Sequence, residues 1–159
     1  MVHAIKYHRD WPLAEYLATR LIEQERAKEL MTEAQVLVPV PLYPTRQLSR
    51  GYNQAAVFAA RLQKLCGVDL SESLIRIRDT ETQTHFRSRA RRIQNMKDAF
   101  ALESPRQIRG RHVILVDDVM TSGATLRAAA RALKQGGPAS VSALVLAVAD
   151  PRGRSFERV

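Results

Sequence analysis

Two aliphatic runs, HVILVDD from His112 and VSALVLAVA from Val141, bracket the stretch LRAAARALKQGG, and that order leaves few architectures open. Each run is rich in β-branched and aliphatic residues and lacks a polar face, as in a strand buried on both sides. Between them Leu126, Ala129, Ala130 and Leu133 recur at helical spacing, and Gly136-Gly137 supplies a stop. Strand, helix and strand in that order form a βαβ crossover, which joins parallel neighbours. The fold class expected is α/β, a mostly parallel sheet flanked by helices.

The rest of the chain fits that frame. Trp11, Leu13, Tyr16, Leu17 and Leu21 give an apolar face to an opening helix over residues 10–30. VLVPV, residues 36–40, is a short buried strand. NQAAVFAARLQKLCG puts Ala55, Phe58, Ala59, Leu62 and Leu65 on one helical face, with Asn53 as cap and Gly67 as stop. LIRIR, residues 74–78, alternates like a strand, and the charged segment 79–95 that follows has no apolar periodicity before Ile93. One domain over residues 1–159 accounts for the whole pattern.

Composition narrows the setting. At 159 residues and 45% hydrophobic content, the chain can bury a core without disulfides or a structural metal. The single cysteine, Cys66, cannot bridge within the chain and ends a helical pattern, so it is a packing residue in a reducing, cytoplasmic setting. No run reaches the length of a membrane span, and MVHAIKYHRDW is too polar for a signal peptide, so no membrane partner is expected. The net charge of +9 calls for an anionic partner, either nucleic acid or a phosphorylated metabolite.

The first aliphatic run ends in VILVDDVMTSGAT, at the strand edge where open α/β sheets bind ligands. Asp117 and Asp118 leave a buried strand side by side, and two carboxylates there need compensation by ribose hydroxyls or hydrated Mg²⁺. Thr121, Ser122, Gly123, Ala124 and Thr125 turn into a helix whose amides and positive dipole end suit a phosphate. Diol and phosphate then lie about one sugar apart, which makes the stretch a grip for ribose 5-phosphate. A capped strand-to-helix connection is the plain alternative.

This stretch resembles the phosphoribosyl pyrophosphate (PRPP) motif of type I phosphoribosyltransferases: four aliphatics, two acids, two aliphatics and T-S-G-x-T. VPVPLYPTRQLSRGYNQA, the TQT with downstream RRIQN, and DAF are similar to the ComF and GntX branch of that family. The resemblance implies a Rossmann-like fold in which Asp117 and Asp118 hold the ribose 2′ and 3′ hydroxyls with Mg²⁺, directly or through water. It assigns Thr121, Ser122, Gly123, Ala124 and Thr125 to the 5′-phosphate. Residues 39–43, Pro41 and Leu42 among them, and Arg46 resemble the pyrophosphate loop, with residues 50–54 starting the adjoining helix. Residues 79–95 resemble the loop that closes over PRPP, where Gln83, Thr84, Arg91, Arg92 and Asn95 match.

By the same resemblance, Asp117, Asp118 and Arg46 serve transfer of the phosphoribosyl group, with Mg²⁺ as cofactor and pyrophosphate as leaving group. The acceptor is open, since nothing after Val148 offers a platform for a purine or pyrimidine. The cysteine-rich zinc segment that usually precedes the domain is absent ahead of HAIKYHRDW, and no zinc is expected. Alternatives are a PRPP-sensing accessory protein in DNA uptake and a basic nucleic-acid binder whose arginines between Arg87 and Arg92 contact phosphates. A homodimer is compatible with all three. His85, His112, Tyr7 and Trp11 are assigned to structure or surface.

Overall fold

The computed structural model describes residues 11–79 and 98–149. Two helices, α1 (Trp11–Ile22) and α2 (Glu25–Glu33), precede strand β1 (Val36–Pro39). A short helix α3 (Pro44–Arg50) and a longer α4 (Gln54–Cys66) lead to β2 (Asp69–Leu70). Strands β3 (Leu74–Arg76) and β4 (Phe100–Leu102) follow, then a single 3₁₀ turn at Pro105–Gln107. The chain continues through β5 (His112–Met120), α5 (Ala124–Lys134) and β6 (Ser140–Val148). No described helix is long and apolar enough to cross a membrane.

The main sheet has the order β2-β1-β5-β6 and every pairing in it is parallel. Side-chain alternation on its central strands divides the core into two layers. Val36, Val38, Val113 and Leu115 face the layer containing Ala129 and Leu133 of α5, whereas Leu37, Ile114 and Val116 face Phe58 and Leu62 of α4. The expected α/β sandwich is thus present, with β1 and residues 113–116 of β5 buried on both sides. β3 and β4 form a separate antiparallel ribbon beside the first layer. At the foot of α5 a Cβ on Gly136 would lie 2.6 Å from Leu102 Cδ2 and 2.8 Å from Ile108 Cδ1, so a hydrogen there is what lets helix and ribbon meet.

Three sequence expectations change. The opening helix is two helices, because the stripe of Ala18, Leu21 and Ile22 would continue onto Glu25, Arg26 and Glu29, while the buried residues are Ala27 and Met31. A break at Glu23–Gln24 resets the phase. VSALVLAVA is not buried on both faces: β6 is an outer strand of the described sheet, and within it only Leu144 is buried. Leu65, assigned to the apolar face of α4, is 44% exposed, since the packed face runs from Leu62 to Cys66 and leaves Leu65 to its side. The helix limits themselves hold: Asn53 Oδ1 accepts the Ala55 amide at 3.1 Å, and Gly67 ends α4 in the left-handed conformation.

Candidate functional site

Topology locates the site. From β1 the chain crosses to β2 on one flank of the sheet, and from β5 it crosses to β6 on the other. The carboxyl ends of β1 and β5 are therefore a topological switch point, where the two outgoing loops diverge and leave a crevice. The Val40 amide donates to Val116 O at 2.8 Å, so the loop leaving β1 begins directly beside Asp117. Asn53 Nδ2 donates to Val40 O at 2.9 Å and ties the far end of that loop back to its start.

The resulting cleft has a volume of about 180 Å³. Pro41, Leu42 and Arg46 line one wall, and Asp117, Asp118 and Thr125 line the other. These six were singled out from sequence, and the fold brings them together from segments more than seventy residues apart. Arg50, Asn53, Gln54 and Arg76 add polar groups to the lining. Arg46 belongs to α3 rather than to an irregular loop, and its Nε donates to Asp79 Oδ1 at 3.0 Å.

Both acids are half-buried. Asp117 Oδ1 accepts the Asp118 amide at 2.9 Å and Asp118 Oδ1 accepts the Val119 amide at 2.8 Å, which fixes each carboxylate against its own backbone. Two adjacent carboxylates form a hard oxygen donor set suited to Mg²⁺, an ion usually held by one or two carboxylates together with water and ligand phosphates. Among the described residues no group of three or more His, Cys, Asp or Glu could enclose a metal by itself.

The turn after β5 is shaped by Gly123, whose φ of +67° is left-handed. It brings the chain into α5, where the first amides of a helix lack intrahelical acceptors. Ser122 Oγ accepts the Ala124 amide at 3.4 Å. Arg127 folds back over the turn and its Nη2 donates to Ser122 O at 2.7 Å, adding a cation that sequence spacing alone did not reveal. Thr121, Ser122, Gly123 and Ala124 thus form a turn beside the cleft, and Thr125 reaches its lining.

Arg76 is a further residue that sequence reading missed. It lies on the β3–β4 ribbon, its guanidinium 5.6 Å from the centre of the Phe100 ring. Burial, and next the charge of Arg46, push this guanidinium below its ordinary value, while Asp79 and Asp117 act in the other direction. An anion in the cleft would reinforce the latter effect. The only sequence signal was an arginine on the alternating LIRIR strand, which does not reveal that the ribbon packs beside α5 and brings Arg76 into the cleft. Burial raises the Cys66 thiol, consistent with a packing role and not with an activated nucleophile. Gln83, Thr84, Arg91, Arg92 and Asn95 lie outside the described residues.

Against known families, residues 9–158 match the phosphoribosyl transferase domain. The chain belongs to that family. Among curated relatives, the domain is 35% identical over 145 residues to DNA utilization protein YhgH of Salmonella typhimurium, covering 89% of this chain and 63% of that protein. It is 38% identical to competence protein F of Haemophilus influenzae, covering 77% and 52%, and 34% identical to competence protein ComFC of Bacillus subtilis, covering 70% and 43%. These relatives place the phosphoribosyltransferase domain in the ComF-like branch. It spans less than two thirds of the length of each. Among solved structures, the glutamine PRPP amidotransferase of B. subtilis superimposes with a TM-score of 0.55 at 22% identity, over 84% of this chain and 26% of that one, a likeness of fold.

Proposed function

We propose that the domain binds PRPP with Mg²⁺ and transfers its 5-phosphoribosyl group to an acceptor, releasing pyrophosphate. The supporting observation is the convergence of unlike partners at one switch point: the Asp117–Asp118 pair, the left-handed turn into α5, and the cations Arg46, Arg50 and Arg76. A diol, a monophosphate and a diphosphate each have a chemically matched wall. In the reaction the bond from C1′ to the diphosphate oxygen breaks, a bond from C1′ to the acceptor forms, and the acceptor loses a proton. Positive charge grows on the ribose as negative charge grows on the leaving group, and Arg46 and Arg76 are positioned to stabilise the latter. Bound Mg²⁺ would screen the diphosphate charge and help orient the ribose hydroxyls.

A second reading draws on the relatives called DNA utilization and competence proteins and on the net charge of +9. In it the domain keeps the phosphoribosyl grip as a sensor in cytoplasmic steps of DNA uptake and does not turn over, because fold and motif do not by themselves establish catalysis. A third, nucleic acid on the arginine-rich surface alone, would leave PRPP unbound. Calorimetry with PRPP and Mg²⁺, pyrophosphate release with a panel of amine and nucleobase acceptors, and competition with single-stranded DNA separate them. Binding with release supports transfer, binding without release supports the sensor, and DNA binding with no PRPP affinity refutes both.

A further inference from the structure

Gln54 begins α4 on the floor of the cleft and is only 4% exposed. Its position is set by Asn53, which caps the helix with one end of its amide and holds Val40 O with the other. Arg50 Nη1 donates to Gln54 Oε1 at 3.4 Å. A guanidinium can only donate, so the oxygen of the Gln54 amide must face Arg50 and the Nε2 group must point elsewhere. Among the described residues that buried Nε2 has no acceptor. A buried donor without a partner is costly, and proteins seldom retain one unless water or a ligand supplies the acceptor.

We infer that Gln54 is a ligand-binding residue whose Nε2 donates to an oxygen of the diphosphate. This rests on the phosphoribosyl reading of the cleft. The missing partner must be an acceptor, and Arg46, Arg50 and Arg76 line the same space, so the acceptor belongs to an oxygen-rich anion. In the proposed reading the acids on β5 hold the ribose, which leaves the diphosphate to the guanidinium groups that line the cleft with Gln54. Arg50 then acts as a positioning residue, since its hold on Oε1 selects the donor end of the amide.

The test uses inorganic pyrophosphate with Mg²⁺ and, separately, ribose 5-phosphate as probes, with calorimetry and thermal melts on Gln54→Glu and Gln54→Met. Gln54→Glu should weaken pyrophosphate at least tenfold and ribose 5-phosphate less than twofold. Gln54→Met, of similar volume and without a donor to satisfy, should weaken pyrophosphate while melting within about 5 °C of the parent without ligand, the margin that loss of the Arg50–Oε1 bond accounts for. Unchanged pyrophosphate affinity in both variants overturns the inference, as does equal weakening of both ligands. A Gln54→Met protein that fails to fold, or melts further below the parent than loss of the single Arg50–Oε1 bond accounts for, about 5 °C, overturns it too, because a donor held for a ligand is dispensable to the empty fold. If the parent binds neither probe, the phosphoribosyl reading itself fails.

Discussion

Replacing Gly123 by alanine should destabilise the domain in two separable ways. With φ at +67°, an L-residue there incurs left-handed backbone strain of about 1–2 kcal/mol. The new Cβ would also sit 2.9 Å from Arg127 Nη1, so the guanidinium must withdraw and risk its bond to Ser122 O, a further loss of about 1 kcal/mol. A total near 2–3 kcal/mol corresponds to a fall in melting temperature of about 5–10 °C for a domain of this size. Thermal and urea unfolding of Gly123→Ala, Arg127→Ala and the double variant measure the two parts. In the Arg127→Ala background Gly123→Ala should cost only the backbone strain, and Gly123→Asn should cost less than Gly123→Ala because asparagine tolerates left-handed dihedrals. Gly123→Val, bulkier still, should also weaken ribose 5-phosphate and PRPP by crowding the turn. Equal losses for alanine and asparagine, with no relief from removing Arg127, would refute this account of the turn.

Changing both Asp117 and Asp118 to Asn should weaken PRPP in Mg²⁺ while unfolding stays cooperative, since asparagine oxygens can still accept the Asp118-position and Val119 amides; equal affinity by calorimetry would contradict the diol-and-metal role. Arg46→Ala should weaken PRPP and pyrophosphate more than ribose 5-phosphate, and uniform weakening of all three would mean that Arg46 does not serve the leaving group. Trypsin, followed by mass spectrometry, should cut after Arg87, Arg89, Arg91 and Arg92 less readily with PRPP and Mg²⁺ than with single-stranded DNA. Protection by DNA alone, lost steeply as salt rises, would favour the nucleic-acid reading.

The layers and one side of the site were legible because local chemistry specifies them. The Asn53 cap and the Gly67 stop delimit α4, and the unbroken aliphatic run of β5 announces a central strand ending in Asp117 and Asp118. What stayed hidden depends on tertiary placement. The composition of β6 gives no hint that it lies outermost in the described sheet. α3 buries none of its residues, so no apolar stripe marks it as a helix. Arg76 and Gln54 look like an ordinary strand arginine and a helix-start glutamine until β3–β4 and the loop after β1 are folded against the same crevice.

That crevice is carried by two parts of unequal anchorage. Asp117 and Asp118 extend from a strand held by neighbours on both sides, whereas Arg76 rides on a ribbon of three paired residues per strand, Leu74↔Leu102, Ile75↔Ala101 and Arg76↔Phe100. Short ribbons open at lower free energy than a central sheet, so native-state hydrogen exchange should be faster at Ile75 and Ala101 than at Ile114 and Leu115. A ligand gripped at its sugar by one part and at its diphosphate by the other would act as a cross-brace, slowing exchange in the ribbon without touching its backbone. The ribbon's amides would then report occupancy of the cleft in the absence of any turnover.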